Sequence, residues 1–255
     1  MKIAFTGKGG VGKTTLAGLF ARALSKDGKE VLAVDCDPDT NLARSLGFEH
    51  AEKIKPIAQM KDMIEERMGV KHGDRAFFKL NPKIDDIPDK FSQKKGNIKL
   101  IVMGTVDEGG SGCMCPESTF IKNLLSHLMF QKDEHLVMDM EAGVEHFGRA
   151  TAQSCDFVIT VVEPSINAIG TARKIAGFAH DIGIKKVFAI GNKIRDKKDI
   201  KFIKNEIKNI PLIETFEFDK NFLNWDKKTG SLAASNNVSE KLTDIKKFLE
   251  KELTS

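Results

Sequence analysis

Residues 7–15 of this 255-residue chain read GKGGVGKTT, which is the spacing of a phosphate-binding loop. The stretch follows an apolar run and opens a helical pattern, as a Gly-x-x-x-x-Gly-Lys-Thr loop requires. Glycines let consecutive backbone N–H groups turn inward around phosphates, and the helix N-terminus adds its positive dipole end. We expect Lys13 to reach the β- and γ-phosphates and the Thr14 hydroxyl to ligate Mg²⁺. The whole loop is a candidate nucleotide site, comprising Gly7, Lys8, Gly9, Gly10, Val11, Gly12, Lys13, Thr14 and Thr15.

Three acids, Asp35, Asp37 and Asp39, follow the second apolar run. In a parallel sheet this is the carboxyl edge, where ligands bind. Three acids within five residues would also suit the cap of a following helix. Their position after a phosphate loop favours a role with Mg²⁺ and water.

A later apolar run ends in an acid and a glycine, Asp139 and Gly143. This is the pattern of a Walker B strand followed by a switch segment, although an ordinary strand end would look similar. We expect Asp139 to hold the Mg²⁺ shell through water, and the Gly143 N–H to contact the γ-phosphate and so sense hydrolysis.

The segment from Gly191 to Asp196 reads GNKIRD and resembles the Asn-Lys-x-Asp motif of GTPases. In that motif the aspartate reads the guanine edge, but here the position holds Arg195, and Asp196 stands one place late. The acceptor pair that guanine needs is therefore missing, and ATP is the favoured nucleotide.

Two cysteines, Cys113 and Cys115, lie one residue apart in a glycine-rich run. Pro116 suits the first position of a helix, which makes Cys115 the expected N-cap and favours its thiolate form. A disulfide between neighbours at this spacing would be strained. Two thiolates fill only half of a closed Zn²⁺ or Ni²⁺ site, which usually has four ligands.

Short apolar runs alternate with amphipathic segments along the chain. This alternation predicts an α/β fold with a doubly wound, mainly parallel sheet flanked by helices. We expect one domain over residues 1–255, with an elaborated connection at 47–97 that includes a helix near 57–68. The predicted strands lie near 2–6, 30–35, 98–103, 135–140, 157–163, 186–191 and 212–216. The predicted helices lie near 13–26, 117–130, 145–154, 165–181, 196–207 and 238–253.

Composition limits the classes of partner. The net charge is +4 and the lysines are interspersed with acids, which argues against a nucleic-acid partner. No run approaches the ~18 apolar residues of a membrane span, and the N-terminus shows no apolar signal core. We therefore expect a cytoplasmic protein. In a reducing compartment its four cysteines would be core residues, reactive thiols or metal ligands rather than disulfides.

The loop GKGGVGKT, with Lys8 as its second residue, resembles the deviant Walker A family. That family includes MinD and ParA ATPases, the arsenite-pump ATPase and nitrogenase iron protein. The resemblance implies a P-loop ATPase fold of the MinD-like type, in which ATP closes a homodimer and Lys8 acts on the partner's nucleotide. It also makes Asp37 the candidate for orienting and deprotonating the attacking water, with Asp35 or Asp39 positioning Mg²⁺ or its waters. Asn192 is carried over as an adenine contact.

Together with these motifs, the lone Cys-x-Cys resembles the carbon monoxide dehydrogenase maturation ATPases of the CooC type. The resemblance implies nickel insertion, with nickel-containing carbon monoxide dehydrogenase as client. A two-fold dimer, promoted by ATP or metal, would bring both Cys113–Cys115 pairs together around one Ni²⁺ or Zn²⁺. A positioning ATPase like MinD or ParA and an iron–sulfur reductase are the alternatives. An iron–sulfur site like that of nitrogenase iron protein would need a second cysteine in the segment after Gly143. This chain has His146 at about that position instead.

Overall fold

The computed structural model describes residues 1–70, 77–104, 115–131, 135–143, 149–152, 154–219 and 235–254. The strands are β1 (Lys2–Thr6), β2 (Val31–Cys36), β3 (Gln93–Lys95), β4 (Ile98–Val102), β5 (His135–Met140), β6 (Phe157–Val162), β7 (Val187–Ile194) and β8 (Leu212–Glu217). They form one sheet in the order β3-β4-β2-β5-β1-β6-β7-β8. All neighbours are parallel except β3 and β4, which are antiparallel.

Helices cover both faces of this sheet. One face packs on α1 and the C-terminal helix through a cluster that includes Phe5, Phe20 and Leu249. The opposite face packs mainly on α3, α5 and α7 through residues such as Phe120 and Ile175. The helices are α1 (Lys13–Lys26), α2 (Leu42–Leu46), α3 (Lys61–Met68), α4 (Ile87–Phe91), α5 (Pro116–Phe130), α6 (Arg149–Ala152), α7 (Ile166–Asp181), α8 (Lys197–Ile207) and α9 (Asn236–Thr254).

The doubly wound, mainly parallel sheet predicted from the alternation is confirmed. Strands buried on both faces read as continuous apolar runs, and all six residues of β6 are buried. This arrangement places the carboxyl ends of β1, β2 and β5 side by side, at the edge where the phosphate loop and the acids lie.

Several element boundaries differ from the prediction. The α-helix expected near 57–68 begins only at Lys61, because residues 57–59 form a separate 3₁₀ turn. β7 continues to Ile194 rather than ending near 191, and the antiparallel β3 was not predicted because all three of its residues are polar and exposed. The helix expected near 145–154 is described only as α6, since residues 144–148 and 153 lie outside the described set. The prediction of a single domain over 1–255 stays a prediction.

Helix α2 lies close against α1 at a glycine. A Cβ added at Gly18 would come within 2.1 Å of Ser45 Oγ, so only glycine lets the two helices approach this far. The Ser45 hydroxyl donates to the Thr14 carbonyl at 3.2 Å. The contact ties the segment after the acids to the helix that begins at the phosphate loop.

Among the helices that the structure describes, none is long and apolar enough to cross a lipid bilayer.

Candidate functional site

The phosphate loop connects β1 to α1 and borders a cavity of about 520 Å³. Gly12 is the N-cap of α1 at a φ of 97°, a left-handed conformation that favours glycine. Loop, acid and strand-end residues line the cavity together, among them Gly12, Lys13, Thr14, Asp37, Asp39 and Asn192. The fold therefore gathers the phosphate loop, two of the three clustered acids and the Asn192 segment at one edge of the sheet.

Lys13 and Asp37 form a buried ion pair across this edge. Lys13 is the first residue of α1, and Asp37 directly follows β2. Their side chains are 10% and 9% exposed, so water screens the pair only weakly. Burial lowers the pKa of Lys13, but the hydrogen bond to Asp37 and the charges of Asp139 and Asp35 raise it above its usual value overall. Lys13 is thus charged, and its ammonium pairs with Asp37 at the position where we expect a phosphate to bind.

Asp35 and Asp139 are fully buried at paired positions of the adjacent strands β2 and β5. Burial raises the pKa of Asp35 to about 7, although the backbone hydrogen bonds from Leu42 and Asp37 act in the opposite direction. Burial and the charge of Asp35 raise the pKa of Asp139 to about 8. The Asp35 carboxylate accepts N–H groups from Leu42 at 2.9 Å and Asp37 at 3.2 Å.

Neither Asp139 oxygen has a partner of good hydrogen-bond geometry in the described residues, although the Thr14 hydroxyl is close enough to lower its pKa. A buried carboxylate without a full set of partners is costly unless a cation or proton joins it. Carboxylate, hydroxyl and water oxygens are the ligands that Mg²⁺ prefers. The oxygens of Asp139 and Thr14 therefore fit Mg²⁺. The Asp35 carboxylate, in contrast, already accepts the backbone N–H groups of Leu42 and Asp37, and Asp39 is exposed.

A threonine that the sequence analysis missed holds the predicted switch glycine. The Gly143 N–H donates to Thr6 Oγ1 at 3.1 Å and to the Glu141 carbonyl at 2.6 Å. The Thr6 hydroxyl in turn donates to the Glu141 carbonyl at 2.7 Å. The N–H expected to sense the γ-phosphate is therefore bonded to the end of β1. The available signal was a polar residue closing an otherwise mostly apolar strand.

Asn192 also contacts the phosphate loop. Its side-chain amide donates to the Val11 carbonyl at 2.7 Å. A Cβ at Gly12 would come within 2.3 Å of the same amide nitrogen, which is a second reason for glycine there. Lys193, which the sequence analysis did not single out, donates to the Gly10 carbonyl at 2.6 Å. The role of Asn192 as an adenine contact stays a prediction.

Lys8 and Cys115 are predicted dimer and metal residues that the structure describes. Lys8 is half-buried and makes no ion pair with any described residue. Cys115 is the N-cap of α5, as predicted, and its Sγ accepts the Ser118 N–H at 3.3 Å. Cys113 and His146 lie outside the described residues. Within the described ranges, no three His, Cys, Asp or Glu side chains cluster as a metal site.

The other two cysteines are core or spacer residues. Cys155 is buried, its thiol donates to the Phe157 carbonyl at 3.3 Å, and burial raises its pKa to about 12. Burial and the charge of Asp35 raise the pKa of Cys36 well above that of a free thiol. Both groups stay protonated at neutral pH, which disfavours them as nucleophiles or soft-metal ligands.

A phosphate loop between the first strand and helix of a parallel sheet, with acids ending the neighbouring strands, defines a P-loop nucleotide-binding protein. The model of the CobQ/CobB/MinD/ParA nucleotide binding domain matches residues 2–236, and the chain belongs to this family. ATP, ADP and Mg²⁺ are the ligands expected of such an ATPase.

Curated relatives narrow the assignment. The chain is 44% identical to the carbon monoxide dehydrogenase accessory protein CooC of Rhodospirillum rubrum, over 86% of this chain and 84% of that one. It is 47% identical to an uncharacterized ATP-binding protein of Methanocaldococcus jannaschii over the same shares. The chain is thus a P-loop ATPase of the CooC type.

Solved structures agree on the fold. The MinC:MinD cell division protein complex of Aquifex aeolicus matches with a TM-score of 0.70 at 19% identity, over 98% of this chain and 96% of that one. MinD of Pyrococcus horikoshii, complexed with Mg-ADP, matches with a TM-score of 0.67 at 19% identity, over 98% of each chain. At this identity the likeness establishes the fold alone.

Proposed function

We propose that this chain is an ATP-hydrolysing, dimeric metallochaperone that assists nickel insertion into carbon monoxide dehydrogenase. The observation that carries the proposal is its 44% identity to a carbon monoxide dehydrogenase accessory protein over 86% of the chain. The chain also holds a Cys-x-Cys pair, Cys113 and Cys115, outside the sequence motifs of the nucleotide site. ATP and Mg²⁺ act at the phosphate loop, and the metal cargo binds at the cysteines.

In the proposed ATPase cycle the nucleotide acts on the pair of Lys13 and Asp37. The β- and γ-phosphates compete with Asp37 for the Lys13 ammonium, with which Asp37 forms a buried ion pair. The freed Asp37 carboxylate then orients the attacking water and accepts its proton. Asp139 and Thr14 hold Mg²⁺ or its waters, and the bound ion supplies charge stabilisation at the phosphates.

The metal site uses Cys113 and Cys115 of both protomers as four thiolates around one Ni²⁺, with Zn²⁺ as a possible substitute. The position of Cys115 supports this, because the residue lies at the N-terminus of α5 and its side chain is not buried, so that an ion can reach the sulfur. Two-fold symmetry supplies the second pair of ligands. ATP binding and metal binding are then coupled through one dimer interface.

The test is anaerobic metal titration with and without ATP on the wild type and on Cys113→Ala/Cys115→Ala. We expect one thiolate-bound Ni²⁺ per dimer in the wild type, visible as a sulfur-to-nickel charge-transfer band, and none in the double variant. Cys155→Ala removes one buried thiol and leaves the pair intact, so it serves as the matched control.

Full metal binding by the double variant would contradict the proposal. A broad visible absorption after reconstitution with iron and sulfide would favour an iron–sulfur reductase instead. ATP-dependent sedimentation with liposomes or duplex DNA, without metal binding, would favour a positioning ATPase.

A further inference from the structure

Two consecutive residues at the end of β7 bond two consecutive carbonyls of the phosphate loop. Asn192 Nδ2 donates to the Val11 carbonyl at 2.7 Å, and Lys193 Nζ donates to the Gly10 carbonyl at 2.6 Å. The pairs are about 180 positions apart in sequence, so only the fold brings them together. Both side chains bond backbone carbonyls of the loop, so these are contacts within the protein and not contacts with a nucleotide.

The backbone of β7 is distorted where these two residues lie. Successive side chains of a regular strand point to opposite faces, so both could not reach the same loop. The register between β7 and β8 is irregular between Gly191 and Ile194, and Lys193 has a φ of 58°. Residues other than glycine seldom adopt this conformation, and where they do, it often accompanies a functional site. The distortion turns Lys193 toward the phosphate loop.

A carboxylate holds the lysine in place. Lys193 Nζ lies 2.9 Å from Glu163 Oε2, in the segment that follows β6. The two side chains are 36% and 25% exposed, so the pair adds little to overall stability. Its effect is to orient the ammonium, which then bridges Glu163 and the Gly10 carbonyl.

We propose that Lys193, oriented by Glu163, is a positioning residue that works with Asn192 to preform the phosphate cradle. In a planar trans peptide the carbonyl and the following N–H point in opposite directions. Holding the Gly10 carbonyl therefore fixes the peptide whose N–H, that of Val11, closes a turn on the Lys8 carbonyl at 3.3 Å. Holding the Val11 carbonyl directs the Gly12 N–H away from β7, as a phosphate-binding nest requires. Less backbone freedom remains to be lost when phosphate arrives.

This inference rests on the ATPase activity and not on the metal proposal, so each can fail without the other. The experiment measures binding of Mg-ADP and Mg-pyrophosphate to wild type, Lys193→Met, Lys193→Arg and Glu163→Gln by calorimetry. Pyrophosphate has no base or ribose and reports on the phosphate cradle alone. Lys198→Met, an exposed lysine on α8, is the matched control.

We expect Lys193→Met to weaken the binding of Mg-ADP and of Mg-pyrophosphate by the same factor, about 5- to 20-fold. Lys193→Arg keeps a charged donor and recovers binding to within about threefold of wild type. Glu163→Gln loses only orientation and weakens both ligands by about 2- to 5-fold. Lys198→Met binds as the wild type does.

Two results would overturn the proposal. If Lys193→Met weakened Mg-ADP but left Mg-pyrophosphate unchanged, Lys193 would contact the nucleoside and not the cradle. If Lys193→Met bound both ligands as tightly as the wild type, the contact with Gly10 would have no role in binding. Glu163→Gln keeps the test informative should Lys193→Met fold poorly, because unchanged binding in it would contradict the orienting role.

Discussion

At the residue scale, the nucleotide site places buried carboxylates close together, which is electrostatically unfavourable. Asp35 and Asp139 are both fully buried on adjacent strands, and the charge of Asp35 adds to burial in raising the pKa of Asp139. Lys13, the nearest cation, is held by Asp37. When Asp139 is ionised in the absence of Mg²⁺, its charge is therefore poorly compensated. Such a site costs stability in the free protein and gains it back when a cation binds.

The sign of the pH dependence follows from the raised pKa of Asp139. Its folded pKa is about 8, against an ordinary value of 3.8, so the folded state holds the extra proton between these limits. The contribution of Asp139 to stability without metal is then least unfavourable at about pH 4 and below, and it becomes more unfavourable as pH rises toward 8. Asparagine has no charge to bury and escapes this loss.

We expect Asp139→Asn to melt about 3–6 °C above the wild type at pH 8 in EDTA. The difference shrinks toward zero near pH 4, where the wild-type carboxyl is protonated in the folded state. Differential scanning fluorimetry across this range measures it, with the exposed Asp244→Asn as control. Equal melting temperatures for Asp139→Asn and wild type at pH 8 would contradict the raised pKa.

At the element scale, the close packing of α1 and α2 links the phosphate loop to the acids. α1 begins at Lys13, and α2 follows the acids by three residues. Their contact depends on Gly18, where a Cβ would lie 2.1 Å from Ser45 Oγ and 2.7 Å from Ser45 Cβ. Alanine would ordinarily stabilise a helix interior relative to glycine, so the two effects oppose each other here.

We expect the steric effect to win, with Gly18→Ala lowering the free energy of unfolding by about 1–3 kcal/mol in urea denaturation. Gly177→Ala on α7 is the matched control, because nothing lies within 4 Å of the added Cβ. That variant gains about 0.5–1 kcal/mol. Gly18→Ala/Ser45→Gly lacks the two shortest contacts and keeps only the one of 3.2 Å to the backbone carbon of residue 45, so the double variant loses less than the two single losses combined. Strict additivity would argue against the proposed contact.

At the scale of the whole molecule, Lys8 lies in the phosphate loop next to Gly9 and Gly10, which line the nucleotide cavity. Lys8 is half-buried and forms no ion pair in the described residues, although the loop around it is tightly bonded. A lysine in this position has a charge available for a second copy of the chain. The proposed dimer would use it on the partner's nucleotide, as an arginine finger acts in other ATPases.

Mixing two inactive variants tests this arrangement. Lys8→Ala lacks the lysine, and Asp37→Ala lacks the proposed water-orienting acid, so each alone should lose nearly all ATPase activity. If Lys8 acts across the dimer, a heterodimer restores one complete site. An equimolar mixture should then reach about a quarter of wild-type activity, because half of the dimers are mixed. If Lys8 acts within its own chain, the mixture stays inactive.

The local motifs were readable without the structure because contiguous residues carry their chemistry. A phosphate loop needs its glycines, lysine and threonine in one short run between a strand and a helix, so residues 7–15 predicted both the site and the start of α1. Pro116 predicted the N-cap at Cys115 for the same reason. Doubly buried strands appear as apolar runs, which predicted the parallel sheet.

Tertiary structure alone decided which residues hold those motifs in place. Thr6 holds Gly143 from 137 positions away, and Lys193 holds Gly10 from 183 positions away. Neither pair follows from periodicity, since strand order and an irregular β7 bring them together. The pKa shifts of Asp35 and Asp139 have the same origin, because burial and cross-strand register are properties of the folded sheet.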